Sequence, residues 1–248
     1  MPGRAPSPLV QLAEASASAS ALVCFPWAGA GAARFHSWAE EAGSRVAVWA
    51  VRLPGRESRL GEAPHVDIRD AVGEVIDALS VQLKDVPLAF FGHCSGAVLA
   101  FECARELRRR RMPGPFRLIV AAQSSPRSVA DAPPLELTHL RDRLARAGYT
   151  SPEVIHDDEL FELVRPAIEA DLGLVQHYAY APSPPLRTPI DAFVGIGQGD
   201  LAARMAAWGD ETAASFRLHR TEGDDYSSDA DWTFLGRTVV ALVAGAAA

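Results

Sequence analysis

Along this chain two hydrophobic periods take turns. Short apolar runs of four to seven residues lie at 21–25, 46–51, 88–91, 116–122 and 190–195, each bounded by Pro, Gly, Ser or charge, and they read as strands buried on both faces. A last, weaker run lies at 215–219. Between them apolar residues recur every three or four positions. Phe35, Trp38 and Ala39 begin one helix, and Ile68, Ala71, Val72, Val75, Ile76 and Leu79 share one face of another over 67–83. Val98, Leu99 and Phe101 open a third from residue 95, which ends in Arg108, Arg109, Arg110 and Arg111 before Pro113. Further helical stretches cover 202–208 and 232–244. Strand and helix in alternation imply an α/β fold with a mostly parallel sheet and right-handed crossovers, which gathers the loops at the strand C-termini on one edge. Residues 127–180 break the rhythm: after Pro133 and Pro134 come only helical segments, so an inserted helical lid over that edge is expected at about 127–180. The first twenty residues, rich in Ala, Ser and Pro, read as a flexible tail ahead of a single domain over 21–248.

Chemistry concentrates where the run 88–91 stops. The sequence there is Gly92-His93-Cys94-Ser95-Gly96, a strand that turns at once into a helix with glycines flanking a cysteine. The turn is so sharp that a Cβ at either glycine would collide with neighbouring backbone, and the pattern is that of a nucleophile elbow carrying sulfur in place of oxygen. Cys94 then sits at a helix N-terminus, where the dipole and unpaired N–H groups favour an anion and pull a thiol below its usual value near ~8.5. Cys24 and Cys103 fall inside apolar runs and read as small core residues.

Length and charge narrow the function. At 248 residues and 48% hydrophobic the chain suffices for one well-packed core and not for two. A net charge of −7, with no basic stripe interleaved with aromatics, speaks against a nucleic-acid partner. The arginines at 105 and 108–111 read either as a dock for an acidic carrier or, the preferred reading, as cations that suit a helix C-terminus without any partner. Three cysteines leave one over in any disulfide scheme, and the N-terminal stretch lacks the apolar core of a signal peptide, which together fit a reducing cytoplasm. No run is long enough to span a membrane, and the seven scattered histidines form no metal-ligand cluster.

The motifs together resemble type II thioesterases, the free-standing editing enzymes of nonribosomal peptide and polyketide assembly lines. The likeness runs from about Leu22 to Leu242 and rests on Phe25-Pro26-Trp27-Ala28-Gly29, on Leu53-Pro54-Gly55-Arg56-Glu57 with Arg59, and on the elbow followed by Ala100-Phe101-Glu102. The stretch from Pro166 to Asp171, then Tyr178, and Pro185 to Ile190 also look like the family's. The resemblance implies an α/β-hydrolase fold with a helical lid, no resident cofactor or metal, and acyl or peptidyl carrier-protein partners that present substrate on phosphopantetheine; it leaves the oligomeric state open. It places the nucleophile at Cys94, where the family has serine, the oxyanion hole at the N–H groups of Ala28 and Ser95, and the triad acid at Asp200. The family's Gly-Gly-His-Phe loop reads here Gly223-Asp224-Asp225-Tyr226, so Asp225 stands where the histidine is expected. A carboxylate there cannot relay protons as imidazole does and would raise the thiol's pKa. His219 and His93 are the candidate substitute bases, with His36 and His177 reachable only by folding. Three functions follow: transfer or cyclising release of an acyl or aminoacyl group through a Cys94 acyl-enzyme, hydrolytic editing with a recruited histidine, and a catalytically silent carrier-binding scaffold.

Overall fold

The computed structural model describes residues 6–14, 20–133, 138–222 and 226–246. Its core is a seven-stranded sheet in the order β1-β3-β2-β4-β5-β6-β7. The strands are β1 (Leu9–Ala13), β2 (Ala21–Phe25), β3 (Ala47–Val51), β4 (Leu88–His93), β5 (Arg117–Ala121), β6 (Ile190–Gly195) and β7 (Phe216–Thr221). All neighbours pair in parallel except β1, which lies antiparallel on β3 with Leu9 opposite Val51. This is the mostly parallel sheet expected of an α/β-hydrolase.

β1 corrects the reading of 1–20 as a tail. Residues 9–13 form an edge strand, and Leu9 is buried in the core. Only five residues long and polar at Gln11, the strand draws its order from the backbone edge of β3, which hydropathy cannot reveal.

Helices cover both faces. On one, α2 (Ile68–Gln82) buries Ala71, Val72, Val75, Ile76 and Leu79, with the Asp67 side chain capping its N-terminus through Arg69 N at 2.8 Å. Beside it, α3 (Ser95–Arg109) buries Phe101, Cys103, Ala104 and Leu107. On the other face, α1 (His36–Ala42) and α9 (Asp229–Ala246) hold Trp38 and Trp232 4.7 Å apart, with Val239, Val240 and Val243 beneath them. Cys24 and Cys103 are fully buried free thiols whose pKa values burial pushes up, as core residues would show.

Between β5 and β6 stand α4 (Pro126–Ala130), α5 (Leu140–Ala147), α6 (Pro152–His156) and α7 (Asp158–Gln176), with no strand among the described residues. The long α7 buries Phe161, Ala167, Ile168, Asp171 and Leu174. α8 (Gly199–Ala206) follows β6. No helix among the described residues is long and apolar enough to cross a membrane.

Candidate active site

Cys94 occupies the corner between β4 and α3 with φ +49° and ψ −124°, a conformation that costs an L-residue energy and persists because its surroundings impose it. The glycines show how. A Cβ on Gly92 would lie 2.5 Å from the Ala97 Cα and the Gly96 carbonyl oxygen, and one on Gly96 would lie 2.2 Å from the Phe25 carbonyl oxygen. The start of α3 is thus pressed against the backbone leaving β2, and the chain from Pro26 to Gly29 is carried to the elbow.

Two amides of this region are expected to form an oxyanion hole. Neither Ala28 N–H nor Ser95 N–H finds a backbone acceptor among the described residues, and Ser95 N–H instead faces the Cys94 sulfur. Ser95 N–H, at the start of α3, and Ala28 N–H, in the loop whose preceding Phe25 and Pro26 carbonyls abut Gly96, are thereby left available as hydrogen-bond donors, as the expected oxyanion hole would need.

Opposing effects act on the sulfur. Burial pushes the Cys94 thiol up, the Ser95 amide pulls it down, and burial prevails. The lowered thiol expected from the helix N-terminus is therefore not what forms: burial raises the Cys94 thiol although the residue remains partly reachable by solvent.

No imidazole among the described residues hydrogen-bonds the Cys94 sulfur. His93, next in the chain, is fully buried and points to the α9 face, ringed by Trp27, Tyr149, Tyr226 and Trp232 at centroid distances of 5.3, 5.2, 6.3 and 5.6 Å. His219 is far off. The register aligns His93, Ala121, Phe193 and His219 across four strands, so three spacings, about 14 Å, separate β4 from β7. Its ring stacks on Phe193 at 4.3 Å, and Nε2 lies 2.7 Å from the Asp191 carboxylate, which also receives Arg117. This cluster, partly exposed at His219 and Arg117 and buried at Asp191, ties β5, β6 and β7 together. His36 bonds the Ala33 carbonyl within its own turn, and His177 is exposed at the end of α7.

Asp200 lies after β6, as expected, in the first turn of α8. It is exposed and hydrogen-bonds nothing among the described residues, so no imidazole is oriented by it there. Asp225 lies outside the described residues. The loop resumes at Tyr226, whose φ is +64°, whose hydroxyl meets Thr221 Oγ1 at 2.5 Å, and whose phenol burial pushes up to about 12. Tyr226 brings the end of this loop against the ring of His93.

Sequence reasoning gave no role to the ion pair behind the Ala28 loop. Arg56, 6% exposed, grips Asp171 of α7, 5% exposed, through both guanidinium nitrogens at 2.6 and 2.8 Å. Asp171 Oδ2 also accepts from Gly29 N–H at 2.8 Å, and Arg56 donates to the Ala30 carbonyl at 3.0 Å. The signal was present in the stripe Ala167, Ile168, Asp171, Leu174: a carboxylate on the buried face of a helix must have a partner. The α3 arginines, by contrast, are spoken for. Arg105 pairs with Glu102, Arg109 and Arg110 with Glu106, and Arg108 donates to the Pro184 and Pro185 carbonyls. No cluster of metal-ligating side chains occurs among the described residues.

Residues 20–228 match the Thioesterase domain family. This chain belongs to the thioesterase family. A medium-chain S-acyl fatty acid synthase thioesterase of Rattus norvegicus is 31% identical over 83% of this chain and 80% of its own. Among solved structures, the RedJ thioesterase from the prodiginine biosynthetic pathway of Streptomyces coelicolor is 31% identical, covers 97% of this chain and 96% of its own, and superposes with a TM-score of 0.82. The type II thioesterase BorB from the borrelidin biosynthetic cluster is 29% identical over 99% of this chain and 100% of its own, also at 0.82. The α/β-hydrolase fold and thioesterase membership are thereby settled for this thioesterase chain, whose elbow residue is Cys94.

Proposed function

We propose that this protein takes an acyl or aminoacyl group from the phosphopantetheine thiol of a carrier protein onto Cys94 and hands it to a second thiol or to an amine, in preference to water. The observation that carries the reading is a strained elbow cysteine whose sulfur is met by the Ser95 amide and, among the described residues, by no imidazole. Relatives named for S-acyl synthase and biosynthetic-pathway thioesterases supply the substrate class by analogy.

The chemistry follows from the nucleophile. Cys94 sulfur bonds the carbonyl carbon, the donor carbon–sulfur bond breaks, and the proton of Cys94 ends on the departing pantetheine thiol. One thioester replaces another, so the step is close to thermoneutral and reversible. Serine would need a base to lose its proton, whereas a thiol supplies some thiolate unaided. Raised as it is, the Cys94 thiol pays for this in rate, and the amide pair compensates at the oxyanion. Water has no base to activate it, while an incoming thiol ionises by itself and an amine attacks directly. Asp225 in the histidine's place fits an enzyme that withholds its acyl group from water.

Incubation with an acyl-loaded carrier protein followed by intact-mass measurement tests this. An added acyl mass that disappears in Cys94→Ala is expected; an unmodified protein, or an adduct that survives Cys94→Ala, overturns it.

A further inference from the structure

The Ala28 loop does not hold its shape alone. Gly29 has φ +79°, and a Cβ there would meet Ile168 Cγ1 of α7 at 2.3 Å. Gly55, φ +82°, lies against Ala167 of the same helix. Between these contacts the Arg56–Asp171 pair spans from the chain after β3 to α7 and bonds the loop twice, at Gly29 N–H and at the Ala30 carbonyl. Both peptide groups lie within two residues of Ala28, whose N–H the proposed function reads as an oxyanion donor. A bidentate carboxylate fixed in both rotation and position gives the Gly29 amide a rigid acceptor.

We infer that Asp171 and Arg56 are positioning residues that make the oxyanion hole conditional on the seating of the lid helix α7. If α7 shifts outward, Asp171 leaves with it, Gly29 N–H loses its acceptor, and the Ala28 peptide is free to rotate away from the elbow. If α7 is seated, the donor is in place before substrate arrives. The lid then does more than cover the site: an acyl chain or partner that seats α7 switches on the amide that stabilises the reaction. This inference rests on the reading of Ala28 N–H as an oxyanion donor.

The pair is separable from the fold by chemistry. Removing one partner strands a buried charge, whereas replacing both with apolar residues of similar size is often tolerated. The double variant Arg56→Met/Asp171→Leu is therefore the probe, with Asp171→Asn as a second that keeps shape and loses charge. Two rates are compared in each: acylation of Cys94 by a simple acyl thioester of N-acetylcysteamine, which develops an oxyanion, and alkylation by iodoacetamide, which does not. The double variant is expected to acylate about 10²-fold more slowly, the loss typical of one misplaced oxyanion donor, while alkylation stays within about twofold. Equal rates of acylation in variant and parent, or parallel loss of both reactions, overturn the inference. Amide hydrogen exchange provides the arm that does not depend on catalysis: exchange across residues 27–31 should quicken about tenfold or more in the double variant with β4 unchanged. Unchanged exchange there overturns the clamp even if the parent protein acylates, and failure of the parent to acylate with quickened exchange sinks the transfer reading while leaving the clamp standing.

Discussion

The two halves of the sheet's C-terminal edge are built to different standards. Around β2 and β4 the backbone is so crowded that glycine is the only residue that fits at 92 and 96, the nucleophile is held in a left-handed conformation, and a buried ion pair braces the facing loop. Past β6 the acid expected at Asp200 is exposed with no hydrogen-bond partner among the described residues, and Asp225 stands in sequence where the resemblance leads one to expect a histidine. On the reading proposed above, this chain keeps the rigid elbow and lacks the proton relay that the resemblance leads one to expect. If the proposed function holds, capture of an acyl group and its release to water rest on opposite halves of the edge.

Substitution of glycine breaks the comparison most bluntly. Gly96→Ala forces a Cβ into the Phe25 carbonyl, with no flexible side chain to yield, and should cost about 3 kcal/mol or more, lowering the thermal midpoint by roughly 10 °C. Gly199→Ala, in open space before Asp200, should stay within about 0.5 kcal/mol by the same circular-dichroism melt. Next in size is restoring the relay. Asp225→His should raise release of free acid from acyl-Cys94 by about 10²-fold, the low end of what a general base contributes, as read by chromatography of the acid. No gain would mean that the missing imidazole is not what protects the acyl-enzyme.

A smaller effect comes from pH. Because burial raises the Cys94 thiol, its reactive thiolate accumulates only at higher pH than in a free cysteine. Alkylation by iodoacetamide should still be climbing through pH 9, nearly tenfold per unit below the pKa, where a cysteine peptide has begun to level off. A plateau below pH 8 would show a thiolate stabilised by a group outside this account. Smallest of all, Asp200→Asn should change the acylation rate by less than twofold, since nothing among the described residues depends on its charge. A tenfold loss would restore Asp200 to the catalytic machinery.

The elbow half was legible because its constraints are local: a glycine–cysteine–glycine spacing, a strand ahead and a helix behind state the geometry within ten residues. The strands β2 to β7 were equally readable, being apolar runs between breakers. β1 was not, since an edge strand of five residues borrows its order from β3. His219 was placed correctly on its strand, but only the cross-strand register shows that it serves Asp191 and stands three strands from the elbow. Asp171 and Arg56 are separated by 115 residues, and their contact exists only once α7 lies over the Ala28 loop. The thiol's pKa also depends on tertiary packing, which overrode the helix-terminus effect that sequence foresees.

Following the fate of the acyl group after loading tests the central claim most directly. Protein charged on Cys94, freed of donor and left in buffer, should keep its added mass for many minutes and lose it rapidly when a carrier protein bearing a free phosphopantetheine thiol is supplied, with the acyl group found on that carrier. Loss of the mass to free acid at the same speed with and without the acceptor would contradict it.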